Sequence, residues 1–157
     1  MKFMRRPTLS PIKILFISIE GNTRAFVKNL ASYAAGMHDQ DADNPLVESK
    51  EISEQTDFAD ETDPYFAFVP TYLDGGNGID NGVKELMTNA LGEYIAYNDN
   101  SKLCHGIVGS GNKNFNEQYC LTAKRYASQF NVPFLADYEL RGTGRDVERI
   151  YKLLAKS

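Results

Sequence analysis

The sequence predicts a three-layer α/β sandwich on a five-stranded parallel sheet of strand order 2-1-3-4-5. Three observations lead there. Short apolar runs alternate with segments of helical spacing along the whole chain, the pattern of strands joined by crossover helices. The clearest runs, Ile12–Ile19 and Tyr65–Pro70, are near-continuous rather than alternating, as strands covered on both faces must be. At 157 residues the chain has the length of one domain with a real core, and right-handed crossovers leave few ways to wind five such strands.

The first strand is read over Ile12–Ile19, where Ile12, Ile14, Leu15, Phe16 and Ile17 crowd together. Phe26, Val27, Leu30, Tyr33 and Ala34 recur at helical spacing over Thr23–Ala35, with Asn22 as the expected N-cap. Asp39–Asp63 holds ten acids against one lysine, and only Leu46, Val47 and Ile52 offer a short strand core. It reads as a solvated edge strand with acidic connections; the sharper alternative is a docking surface for a basic partner patch. Tyr65–Pro70 is a central strand. A glycine-rich stretch follows over Leu73–Gly82, then helical spacing at Leu91, Tyr94 and Ile95. Leu103–Gly109 gives the fourth strand, ending at Ser110-Gly111-Asn112. A helix over Asn116–Phe130 carries Tyr119, Cys120, Ala123, Tyr126, Ala127 and Phe130 on one face. The fifth strand is Phe134–Leu140, and Val147, Ile150, Leu153 and Leu154 mark a last helix after Gly142-Thr143-Gly144. No repeat or domain boundary divides residues 1–157, which read as a single flavodoxin-like domain with Met1–Pro11 as a loose leader.

Composition narrows the function. A net charge of −4 with no basic stripe argues against a nucleic-acid partner. No apolar run approaches the roughly 20 residues of a membrane span. Cys104 and Cys120 form neither a CxxC nor a metal spacing, which suits a reduced, cytoplasmic protein. His38 and His105 stand alone and are expected at the surface or in packing, so no metal site is read.

In the flavodoxin-like order, ligands sit at the carboxyl ends of the strands, and three loops there are informative. The first is Ser18-Ile19-Glu20-Gly21-Asn22-Thr23-Arg24. Hydroxyls, a Gly and an Asn directly before a helix can aim backbone N–H groups at an anion. The loop lacks both GxxxxGK[ST] and GxGxxG, which leaves a phosphate monoester or a plain N-cap. The second, Pro70-Thr71-Tyr72-Leu73-Asp74-Gly75-Gly76-Asn77-Gly78, sets an aromatic face beside glycines that admit close backbone approach. The third, Gly109-Ser110-Gly111-Asn112-Lys113-Asn114-Phe115-Asn116, brings amides and an aromatic beyond a strand end. A phosphate cradle, an aromatic-and-glycine wall and an amide-rich wall together fit FMN better than NAD or FAD, which need a second phosphate site.

From Ile12 to Leu154 the chain resembles the NrdI family, flavodoxin-like partners of class Ib ribonucleotide reductase. The resemblance is carried by SIEGNTRAFV (Ser18–Val27), VPTYLDGG (Val69–Gly76), GIVGSGNKNF (Gly106–Phe115) and YELRGTGRDVE (Tyr138–Glu148). It implies that reduced FMN meets dioxygen and that superoxide, or a related oxidant, passes through a channel to the partner subunit. There it would oxidise a dimanganese centre and so generate the tyrosyl radical, with a reductase as electron source. The protein would be an accessory flavoprotein rather than a stand-alone enzyme. By the same resemblance Ser18, Gly21, Asn22 and Thr23 would hold the phosphate, with Ile19 and Glu20 in the same loop. Thr71, Tyr72, Leu73, Asp74, Gly75 and Gly76 would flank one side of the ring, and Ser110, Gly111, Asn112, Asn114 and Phe115 the other.

Two departures stand out. Glu20 occupies a position where the family commonly has a hydroxyl residue, and a carboxylate aimed at a phosphate dianion opposes binding. A general electron shuttle, an NAD(P)H-dependent FMN reductase and a homologue that has lost FMN are the alternatives. The loop Leu73–Met87 is longer than in short-looped members and carries Asp74 and Asp80, acids that disfavour an anionic reduced flavin beside them. Asp74→Asn is therefore expected to raise the potential of the fully reduced couple. A spectroelectrochemical titration with no change would reject that role.

Overall fold

The computed structural model describes residues 10–18, 21–71, 73–74, 84–85, 89–113 and 119–157. Residues 1–9, most of the expected leader, lie outside them. In chain order the elements are β1 (Ile12–Phe16), α1 (Asn22–Gln40), β2 (Val47–Glu51), β3 (Tyr65–Pro70), β4 (Leu73–Asp74), β5 (Lys84–Glu85), α2 (Ala90–Ala96), a 3-10 turn (Asn100–Leu103), β6 (Cys104–Gly111), α3 (Leu121–Phe130), β7 (Phe134–Glu139) and α4 (Gly144–Lys156).

Five strands form one parallel sheet in the order β2-β1-β3-β6-β7, which is 2-1-3-4-5 when only its members are counted. The apolar runs are continuous because successive residues point into different cores. Ile12, Ile14, Phe16, Phe66, Phe68 and Val108 face α1 and α4, where Phe26, Leu30, Ile150 and Leu154 meet them. Leu15, Ile17, Tyr65, Ala67, Val69 and Ile107 face α2 and α3, against Leu91, Tyr94, Ile95 and Ala123. Burying each large side chain contributes about 1.5–3 kcal/mol. Cys104 and Cys120 are free thiols, both buried.

Element ends differ from expectation. The first strand stops at Phe16, whereas the fourth runs two residues further, to Gly111. The first helix continues to Gln40, and α3 begins at Leu121, leaving Tyr119 and Cys120 in the preceding turn. The final strand ends at Glu139, and Leu140 takes a positive φ of 54°. The Leu73–Met87 loop contains an unexpected antiparallel pair, β4 with β5.

The acidic segment forms an edge strand, as its composition suggests, but Glu61 is not solvated. Its side chain is 4% exposed and lies 2.6 Å from Lys13 Nζ and 3.2 Å from Lys50 Nζ. Tyr94 Oη donates to the same carboxylate, and the Glu61 N–H donates to Asn100 Oδ1. Burial alone would raise the carboxyl pKa; hydrogen bonds from Lys13, Tyr94 and Lys50 outweigh it and hold the group below its usual value. A carboxyl with a depressed folded-state pKa stabilises above its unfolded value and loses that contribution as pH falls through the folded one. Glu61→Gln is expected to cost about 2 kcal/mol at neutral pH. The gap to wild type should narrow as pH falls below 4.5 in urea melts.

Candidate functional site

The carboxyl ends of β1, β3 and β6 lie side by side, because β3 pairs with β1 on one side and β6 on the other. The chain leaves β1 for α1 on one face and reaches β6 through α2 on the other. Such a reversal opens a crevice at the sheet edge.

The β1–α1 turn forms the first wall. Gly21, not Asn22, is the N-cap: its φ of +91° turns the chain into the helix, a conformation costly for any residue with a Cβ. Its carbonyl accepts from Ala25 N at 2.9 Å. Asn22 opens the helix instead, and its Oδ1 accepts from Arg141 Nε at 3.1 Å. The Arg24 N–H is satisfied by Ser18 Oγ at 3.2 Å. The N–H groups of Asn22 and Thr23 precede any intrahelical acceptor, as at every helix start. Thr23 is fully buried, and its Oγ1 has no hydrogen-bond partner among the described residues. A buried hydroxyl left without a partner costs about 1–3 kcal/mol, and it is of a chemistry that a phosphate oxygen would satisfy.

The other walls come from β3 and β6. Thr71 is buried; its N–H donates to Ser110 O, and its Oγ1 accepts from Thr122 N at 2.9 Å. It clips the β3 end to the start of α3. Ser110 and Gly111 belong to β6, paired with Tyr138 and Glu139 of β7. A Cβ at Gly111 would lie 3.1 Å from Cys120 N, so the Tyr119–Cys120 turn rides directly over this strand end. Asn112 follows, half-buried, and the Lys113 N–H donates to Glu139 Oε2 at 3.0 Å. Tyr119 Oη donates to Asp137 Oδ1 at 3.0 Å beneath them.

Ser18, Gly21, Asn22, Thr23, Thr71, Ser110, Gly111 and Asn112 thus gather at one sheet edge. Ile19, Glu20, Tyr72, Gly75, Gly76, Asn114 and Phe115 lie outside the described residues, and Leu73 and Asp74 are described only as strand β4. Arg141 is the residue sequence reading did not assign to this edge. Its motif, ELRGT, was visible, but its contact with Asn22 spans 119 positions. Of the two histidines, His38 Nδ1 lies 2.8 Å from Asn44 O and His105 meets Phe66 edge-on, both away from the crevice.

A doubly wound sheet with an anion-ready helix start and two further walls at its switch point defines a flavodoxin-type protein. Comparison with known proteins narrows this. A model of the NrdI flavodoxin-like family matches residues 14–152. The chain is 48% identical over 146 residues to an NrdI-like protein of Streptococcus pyogenes, covering 93% of each. It is 30% identical over 152 residues to Protein NrdI of Mycoplasma genitalium, covering 97% of this chain and 88% of that one. A solved short-chain flavodoxin associated with a bacterial microcompartment shares the fold, with a TM-score of 0.63 at 22% identity over 93% of this chain and 95% of its own. The chain belongs to the NrdI flavodoxin-like family, and membership implies a flavin-binding protein of flavodoxin type. Among the described residues no helix is long and apolar enough to cross a membrane.

Thr23 supplies a test that needs no ligand. Thr23→Val removes a buried polar atom and keeps the shape, so the flavin-free protein should be as stable as wild type or up to about 1 kcal/mol more stable. A clear loss of stability in thermal melts would mean that the hydroxyl already has a partner.

Proposed function

We propose that the chain binds FMN at this edge and, in its reduced form, supplies the oxidant that assembles the dimanganese–tyrosyl radical centre of class Ib ribonucleotide reductase. The observation that carries the cofactor half is the buried Thr23 Oγ1, without a partner among the described residues, in the first turn of α1. A phosphate monoester supplies the acceptor oxygens that such a group lacks, in the favourable field of a helix N-terminus. Ser18, Gly21, Asn22 and Thr23 would hold the phosphate. Thr71 and Tyr72 on one side, and Ser110, Gly111 and Asn112 on the other, would place backbone groups along the ring.

Bound FMN supplies the two-electron chemistry and the reaction with dioxygen. The chain's own residues have narrower tasks. The Thr71 N–H bond to Ser110 O ties the β3 end to β6, the Thr122 N–H bond to Thr71 Oγ1 ties it to α3, and the Tyr119–Cys120 turn lies over the end of β6. The partner half of the proposal is supported by family membership; the dimanganese centre is the partner subunit's, and a separate reductase delivers electrons.

The purified protein should be yellow, and acid extraction should release FMN. Reduced protein mixed with oxygen and a manganese-loaded radical subunit should give the tyrosyl radical signal by electron paramagnetic resonance. A protein that takes up no FMN refutes the cofactor half. Flavin-loaded protein that reduces other acceptors yet yields no radical refutes the partner half and favours a shuttle.

A further inference from the structure

The β7–α4 loop carries a cation, Arg141, that the structure ties to the first residue of α1. Arg141 Nε donates to Asn22 Oδ1 at 3.1 Å. The neighbouring candidate, Arg24, is committed to Glu51, with Nε at 2.9 Å from Oε1 and a terminal nitrogen at 2.6 Å from Oε2. Among the described residues no carboxylate forms an ion pair with Arg141. The bond to Asn22 uses its Nε–H, and a guanidinium carries further N–H donors on two terminal nitrogens.

The loop that bears it is held firmly. Gly142 follows with φ +72°, and a Cβ there would lie 2.6 Å from the Phe26 ring and 3.2 Å from Tyr138. Its N–H donates to Glu139 O. Thr143 then starts α4 with a reciprocal capping box: its Oγ1 accepts from Asp146 N, and its own N–H donates to Asp146 Oδ2. Arg141 is therefore a cation mounted on a fixed turn above the start of α1, within a few ångströms of the residue next to the unpartnered Thr23 hydroxyl.

We infer that Arg141, acting directly and through Asn22, is the determinant that selects a phosphorylated flavin over its dephosphorylated form. The inference rests on the FMN reading above. A neutral phosphate cradle of N–H and O–H groups binds by hydrogen bonds alone; a guanidinium beside it adds a charge-assisted contact that a ligand without phosphate cannot use. Electrostatic attraction of this kind weakens with salt at an exposed position.

The test is fluorescence titration of the flavin-free full chain with FMN and with riboflavin, at low and high salt. Wild type, Arg141→Gln and Arg141→Lys are compared, with thermal melts as the control for folding. Arg141→Gln should weaken FMN binding about tenfold at low salt, the scale of one charge-assisted contact, and leave riboflavin binding unchanged. The salt dependence of FMN binding should shrink in the same variant, and Arg141→Lys should restore part of both. Equal losses for FMN and riboflavin would show that the residue only shapes the loop and would overturn the inference, as would no change for either. Wild type that binds riboflavin as tightly as FMN would overturn the selectivity while sparing the flavin site. Wild type that binds neither would overturn the FMN reading and this inference with it.

Discussion

Phe26 and Tyr138 lie face to face, with ring centroids 3.8 Å apart and planes within 13° of parallel, and the geometry of the carboxyl edge depends on that contact. Phe26 sits in the first turns of α1, and Tyr138 occupies the register position beside Ser110 in the sheet. Phe68 closes the group at 6.1 Å. Such pairs contribute about 0.5–1.5 kcal/mol beyond the area they bury, but their positional effect is larger. The stack fixes the start of α1 relative to β7, and Gly142 must lie bare beside it because the Phe26 ring fills the space a side chain would need. The start of α1, the last strand and the loop bearing Arg141 are therefore packed against one another through this stack.

Much of this was legible from residue pattern. A parallel sheet buried on both faces leaves no polar alternation, so runs such as Ile12–Ile17 and Tyr65–Pro70 reported their own burial. The ends of elements were less legible. Asn22 is an ordinary capping residue by type, yet the cap is set by a backbone angle that only the neighbouring Gly21 adopts easily. Ser110 and Gly111 look like loop residues, and they extend β6 because β7 offers Tyr138 and Glu139 as ladder partners. Tyr119 and Cys120 fit a helical face by spacing, but the turn over Gly111 holds them outside α3. These outcomes are decided by contacts across the fold, which a local pattern does not contain.

Glu61 shows the same limit for charge. Averaged over the acidic segment it is one carboxylate among many, expected in water. Its partners Lys13, Lys50 and Tyr94 come from β1, β2 and α2, and only the folded arrangement brings them together. A buried ion cluster of this kind adds little over well-packed apolar groups, but removing one member leaves the others uncompensated. Its value here is positional: Asn100, whose side chain binds Ala59 O, Tyr94 O and Glu61 N, extends the cluster and pins the connection into β3 against α2.

The two buried thiols bear on how electrons can travel. Burial pushes the Cys104 thiol up to about 11, and burial beside the negative Asp137 pushes Cys120 up to about 12. At neutral pH neither supplies the thiolate that disulfide exchange and peroxide attack require, and these are the chain's only cysteines. Both thiols are in effect insulated from the surrounding solution. Thiol oxidation and disulfide exchange at these two positions should therefore be slow at neutral pH, and exposure to air should leave both thiols free.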